Sequence, residues 1–157
     1  MTANKLTVQS VLEKAIEKEI EAQELYRRLS GSVKDDTARE TLRQLSRVEK
    51  KHEDLLRRYL RGELGEGTLK GQQELDYKIA EHLELPRIEP EMKLDQVFLM
   101  AAGRERASHD FYLSLAAAHP LGKVKTLIED LASQELEHKQ RVEYLYTEVA
   151  FPQTDGG

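Results

Sequence analysis

The sequence predicts an all-α protein, a four-helix bundle made of two helical hairpins joined by a long crossover that contains a short helix. Three observations lead to this. Four long segments carry apolar residues at alternating steps of three and four, the inward stripe of a bundle helix. Glycine, proline and capping residues punctuate the segments, and the second half of the chain repeats the pattern of the first at a constant shift of 86 residues (105 − 19, 135 − 49, 138 − 52). At 157 residues, with 39% hydrophobic and 34% charged content, the whole chain 1–157 reads as one domain of long amphipathic helices.

The first helix is expected over about 7–30, capped by Thr7 or Ser10 with Glu13 as a capping-box partner, and closed at Gly31. Its stripe is Leu12, Ala15, Glu19, Ala22, Tyr26, Leu29. The second runs over about 36–61 with the stripe Leu42, Leu45, Glu49, His52, Leu56, Tyr59. Gly62, Gly65, Gly67 and Gly71 then predict a mobile connection, a short helix over about 72–83, and a stretch bounded by Pro86 and Pro90. Roughly 30 residues suffice to traverse a bundle about 40 Å long, so this segment can join helices that run parallel, which a tight turn cannot. The third helix, over about 94–118 and opened by Leu94 or Asp95, carries Phe98, Ala101, Glu105, Ser108, Tyr112, Leu115. After His119 and Pro120 the fourth, over about 121–150, carries Ile128, Leu131, Glu135, His138, Val142, Leu145, and FPQTDGG is a tail.

Four glutamates and two histidines therefore interrupt four otherwise small or apolar stripes. In Glu49/His52 and Glu135/His138 the three-residue step places carboxylate and imidazole side by side on one helix face. Burying unpaired carboxylates is costly, and four in one layer repel one another. No Lys or Arg shares the stripes near that layer. Two divalent cations would cancel four negative charges and take the imidazoles as ligands, with the repeat supplying two equivalent positions. The metal ligands expected are thus Glu19, Glu49, His52, Glu105, Glu135 and His138, with Glu49 and Glu135 bridging. A single Glu-x-x-His is weak evidence, but two of them, each paired with a helix bearing Glu-x6-Tyr, make a specific signal.

Tyr26 and Tyr112 lie two turns beyond Glu19 and Glu105 on the same faces, where each can hydrogen-bond a ligand carboxylate or relay a proton or electron. His109, one turn past Glu105, is a side candidate as ligand or proton carrier. His82 and His119 are expected at the surface.

The rest of the composition excludes other chemistries. A net charge of −5 with basic residues interspersed along the helices gives no nucleic-acid footprint. No apolar run approaches a membrane span, and the polar start MTANKLTVQS lacks the core of a signal peptide, so a cytoplasmic protein with no membrane partner is expected. Without cysteine there are no disulfides, thiolate ligands or Fe–S clusters of its own. Electrons must come from, or go to, another molecule.

The stretches AIEKEIEAQELYRRLS (15–30), VEKKHEDLL (48–56), AAGRERASHDFYLSLA (101–116) and SQELEHKQRV (133–142) resemble the ferritin-like superfamily, most closely its rubrerythrin-related branch, over nearly the whole chain. The resemblance implies a ferritin-like bundle with the six residues named above holding two Fe ions, and a homodimer. It also implies reduction of peroxide or oxygen with an external electron donor such as a rubredoxin-like protein. Carboxylate and imidazole also accept Mn or a mixed pair, and affinity order favours Zn in isolated protein. The chain departs from the family in two ways: Ser108 stands where rubrerythrins carry a further Glu, and the Cys-rich rubredoxin-like module is absent. Bacterioferritins share the six-ligand set. Here, however, Lys50 and Lys51 separate Glu49 from His52 without their haem-binding methionine, and no fifth helix of storage cages follows. The alternatives are a ferroxidase or iron-handling protein without a large cage, and a metal-free helical interaction module.

Overall fold

The computed structural model describes residues 6–85, 88, 89 and 91–150 of the chain, Ala150 by its backbone alone; the expectations for the segment before Leu6, for Pro86 and Pro90, and for the tail 151–157 lie outside the described residues. Among the described residues it is all-helical: α1 Val8–Ser32, α2 Asp36–Leu60, α3 Tyr77–Glu81, α4 Leu94–Ala117 and α5 Lys123–Ala150. Among the described residues, no helix is long and apolar enough to cross a membrane. α1 packs chiefly on α2, and α4 on α5, as two hairpins.

Local chemistry sets the helix ends. The Thr7 side chain accepts from Ser10 N–H while the Ser10 hydroxyl accepts from Thr7 N–H, so Ser10, not Glu13, completes the capping box of α1. α1 continues through Gly31 to Ser32, and Val33 caps it by donating its N–H to Leu29 C=O (3.2 Å). α2 starts at Asp35, whose side chain accepts from Ala38 N–H at 2.8 Å. It ends with Gly62 N–H on Tyr59 C=O and Glu63 N–H on Arg58 C=O, a Schellman closure that uses the left-handed φ of +73° at Gly62.

The glycine-rich connection is fastened instead of mobile. Val8 and Gln9, whose N–H groups open α1 with no partner inside the helix, donate to Gln73 and Gly71 C=O (both 2.9 Å), and Leu75 N–H returns to Leu6 C=O (3.0 Å). This extended pairing consumes the backbone of 71–75, which is why the crossover helix is Tyr77–Glu81 and not the longer 72–83, with Asp76 as its cap.

The crossed contacts between hairpins give the helix directions. Tyr26 reaches Glu105 while Tyr112 reaches Glu19, so α1 and α4 run antiparallel; His52 meets Glu135 while His138 meets Glu49, so α2 and α5 do too. α2 and α4 are then parallel, and the crossover between them is obligatory. Of the stripe positions, Ala22 and Ser108 alone are half-buried; the others are buried.

The core is divided. One apolar cluster gathers Val8, Leu12, Ile16, Leu56, Phe111, Leu115, Val124 and Ile128, and another gathers Leu25, Leu29, Leu42, Leu45, Phe98, Ala101, Val142 and Leu145. Each fully buried Leu, Ile, Val or Phe contributes about 1.5–3 kcal/mol, so the two clusters carry the bundle's stability. In every long helix the glutamates and histidines named above lie between the two clusters in sequence.

Candidate metal centre

The six stripe residues converge. Glu19, Glu49, His52, Glu105, Glu135 and His138 are each no more than 4% exposed. They fall into two groups, Glu19/Glu49/His52/Glu135 and Glu49/Glu105/Glu135/His138, and in each group one donor atom per residue lies within 4.8 Å of the others. Glu49 and Glu135 belong to both groups. His52 Nδ1 is 2.7 Å from Glu135 Oε1, 3.5 Å from Glu49 and 3.6 Å from Glu19. His138 Nδ1 is 2.7 Å from Glu49 Oε1, 3.7 Å from Glu105 and 3.9 Å from Glu135. The two imidazoles stack with centroids 6.0 Å apart and planes 13° from parallel.

Whether this layer suits metal is decided by its unsatisfied atoms. Buried Glu19 Oε2, His52 Nδ1, Glu105 Oε2 and Glu135 Oε1 have no hydrogen-bond partner among the described residues, although His52 Nδ1 and Glu135 Oε1 lie 2.7 Å apart. Buried polar atoms are normally paired, so four orphans in one cluster mark a layer that its own side chains do not complete. Divalent cations that take oxygen and nitrogen ligands would satisfy all four, and the donor set fits them.

Electrostatics give the same reading. Burial, then repulsion by Glu49, raises the Glu19 carboxyl well above its ordinary value and lifts Glu105 to about 7. Burial followed by repulsion from Glu105, Glu49 and Glu19 raises Glu135 well above it. Glu49 is held well below the usual carboxylate range, because hydrogen bonds from Glu19, His138 and His52 outweigh its own burial. For His52 burial opposes the charged ring, but Glu135, Glu19 and Glu49 together raise it well above the ordinary imidazole value. Without cations, these shifts favour retention of protons by Glu19, Glu105, Glu135 and His52.

The surrounding residues orient the layer. Tyr26 OH donates to Glu105 and Tyr112 OH donates to Glu19 at 2.5 Å, each tyrosine serving the carboxylate of the opposite hairpin. Burial, then the neighbouring carboxylates, holds both phenols well above their usual range, so they act here as donors. His52 Nε2–H donates to Gln134 Oε1 at 2.8 Å, which leaves Nδ1 as the ring nitrogen that faces the carboxylates. Sequence reasoning missed Gln134 because it lies off the inward stripe. Its counterpart in the repeat is Val48, an aliphatic residue unable to accept, so the two halves of the site are unequal. Gln23 Nε2 also donates to buried Glu53 at 2.9 Å, beside His52.

The other candidate histidines divide. His109 is half-buried and its Nδ1–H donates to Ala132 C=O at 2.7 Å, outside both ligand groups. His119 is a correction to the surface expectation: it is 4% exposed, with Nε2 2.6 Å from Tyr59 OH and Nδ1 2.8 Å from Leu115 C=O. Tyr59 OH also accepts from Leu69 N–H at 2.8 Å, so the pair ties the crossover to the end of α4. That tertiary partner supplies the reason for burial. His82 is half-buried at the end of α3.

Comparison with known proteins places the architecture. The Rubrerythrin family model matches residues 9–85, which take in α1, α2 and most of the crossover with α3. A Thermotoga maritima protein described as a candidate ferritin-like diiron-carboxylate protein superposes with a TM-score of 0.71 at 19% identity, over 94% of this chain and 99% of that one. The chain has the ferritin-like fold. A hypothetical protein from Pyrococcus furiosus is likewise similar, at a TM-score of 0.73 and 24% identity over 94% of this chain and 93% of that one. No curated protein matches the sequence. The family match covers α1 and α2; the internal repeat carries the same spacing of glutamates and histidine into α4 and α5, and the fold brings the two sets together.

Proposed function

We propose that this ferritin-like chain is a non-haem di-iron oxidoreductase of the rubrerythrin type, reducing peroxide or oxygen with electrons from an external donor protein. The observation that carries the reading is the pair of buried three-carboxylate, one-imidazole groups sharing Glu49 and Glu135. A bound pair of ferrous ions would supply the two electrons such a reduction needs.

The chain's own residues have defined tasks in this reading. Glu49 and Glu135, common to both groups, would hold both metal ions, while Glu19 with His52 would hold one of them and Glu105 with His138 the other. Tyr112 and Tyr26 hold the terminal carboxylates of Glu19 and Glu105 in place. The apolar clusters above and below exclude bulk water from the layer. With no cysteine in the chain, the electron donor is a separate partner such as a rubredoxin-like protein, and the compartment is cytoplasmic.

The test is anaerobic loading with Fe(II) followed by stopped-flow mixing with hydrogen peroxide or oxygen. Uptake of two irons per chain and oxidation much faster than that of free Fe(II) are expected. Oxidation no faster than the free ion would overturn the reading, and an iron count climbing far beyond two would assign the protein to iron storage instead.

A further inference from the structure

α1 and α4 are counterparts in the 86-residue repeat and carry matching inward stripes, but their backs differ. On α1 the positions facing away from the bundle are charged and exposed: Glu13, Lys14, Glu17 and Arg27. Their counterparts on α4 are Leu99, Met100, Gly103 and Leu113. Leu99 is 56% and Leu113 45% exposed, and a Cβ placed on Gly103 would meet no heavy atom within 4 Å among the described residues. α5 repeats the exchange, with exposed Leu136 in the place of Lys50, one turn on from Ala132, whose C=O holds His109. On a face that stays in water, leucine leaves apolar surface wet and glycine weakens the helix, so this composition points to a covered face.

The pattern along that face indicates what covers it. Leu99, Gly103, Arg106, Asp110, Leu113 and Ala117 follow one another at alternating steps of four and three, the spacing of a coiled-coil seam. This stripe is its own complement in reverse. Leu99 and Ala117 lie nine residues to either side of position 108, Gly103 and Leu113 five, and Arg106 and Asp110 two. Against a second copy turned end over end, each large residue meets a small one, Leu99 over Ala117 and Leu113 over Gly103. Each charge meets its opposite, Arg106 against Asp110. Parallel pairing would set Leu99 on Leu99 and Arg106 on Arg106 instead. The Arg106 and Asp110 side chains are 61% and 37% exposed and touch only loosely within the chain, at 3.5 Å, so both are available to a partner.

We propose that the chain forms a two-fold homodimer through the back of α4, packed antiparallel on the α4 of a second copy about an axis at the level of Ser108. Two-fold symmetry makes each of these contacts occur twice, and the small residues Gly103 and Ala117 let the two helices approach closely. Arg106 directly follows Glu105, so the contact lies at the level of the buried Glu/His layer on the opposite side of the helix. It uses none of the candidate ligands and therefore stands independently of metal binding.

Sedimentation equilibrium of the full chain across a range of micromolar concentrations tests this, with the wild type expected to dimerise. Arg106→Asp and Asp110→Arg each put like charges together at both symmetric contacts and should weaken association about tenfold or more. An equimolar mixture of those two variants should recover the dimer, because each chain then brings the charge the other lacks. A defect confined to one chain would not be mended by mixing. Gly103→Leu should also weaken association about tenfold or more by filling the hollow meant for Leu113, yet leave the helix content intact, since the site is open in the single chain. Glu17→Gln, at the counterpart of Gly103 on α1, should change nothing. A wild type that stays monomeric would overturn the proposal. So would a dimer indifferent to Gly103→Leu and to the charge substitutions, failure of the mixture to recover association, or an equal loss in Glu17→Gln.

Discussion

Replacing Gln134 by Met should split the two metal positions apart. In the folded chain His52 Nε2–H donates to Gln134 Oε1 at 2.8 Å, and this bond sets which ring nitrogen faces the carboxylates. Met keeps the length and helix propensity of Gln and removes the acceptor, so the fold should hold to within about 0.5 kcal/mol. Losing the outer hydrogen bond of a metal-ligating histidine typically costs roughly 10–100-fold in affinity. Gln134 lies at the surface, where water can replace the lost acceptor, so the lower end applies. The expected loss is about tenfold, or about 1.4 kcal/mol. It should fall on the position held by Glu19, Glu49, His52 and Glu135, because the residue equivalent to Gln134 in the other half is Val48. Anaerobic Fe(II) titration against a chelator of known affinity should change from one loading phase to two. Equal weakening of both positions, or no weakening of either, would refute the argument from the His52 tautomer.

Glu49→Ala and Glu135→Ala should each abolish uptake of a second metal ion, since these carboxylates belong to both ligand groups, whereas Tyr26→Phe should leave two metals per chain by elemental analysis. Tyr59→Phe should cost about 1–3 kcal/mol in urea unfolding, because Leu69 N–H and the buried His119 ring both lose their partner; a loss under about 0.5 kcal/mol would show that water reaches them. For metal-free protein, the raised carboxyls of Glu19, Glu105 and Glu135 and the raised imidazole of His52 bind protons more tightly folded than unfolded. Their stabilisation is full below the unfolded values and is lost as pH rises through the folded ones, about 7 for Glu105, so the apo melting temperature should fall between about pH 5 and about pH 8. Glu49, held low, acts oppositely but below that range. Metal-loaded protein should instead lose stability towards acid as protons displace metal, and metal removal should lower its melting temperature without unfolding the helices. Parallel pH dependences in the two forms would contradict a shared buried layer.

Much of this protein is legible in the chain because helical periodicity is local. The stripes through Glu19, Glu49/His52, Glu105 and Glu135/His138 name the inward face of each helix, and the 86-residue repeat pairs the helices before any contact is known. The crossover is less legible. Its glycines and polar residues look mobile, but the opening N–H groups of α1 need acceptors, and Gly71 and Gln73 supply them. The surface expectation for His119 failed for a similar reason, as a histidine before proline looks exposed until Tyr59, 60 residues away, is placed beside it.

The sequence by itself determined the helical class, the six inward metal-ligand candidates and the need for a crossover, because each depends on which side of its own helix a residue occupies. Only the tertiary structure decided the crossed partnership of Tyr26 with Glu105 and Tyr112 with Glu19, and the hydrogen bond from His52 to Gln134. Those depend on the direction and axial offset of one packed helix against another, quantities fixed by how two apolar clusters interlock and not by the spacing within either helix.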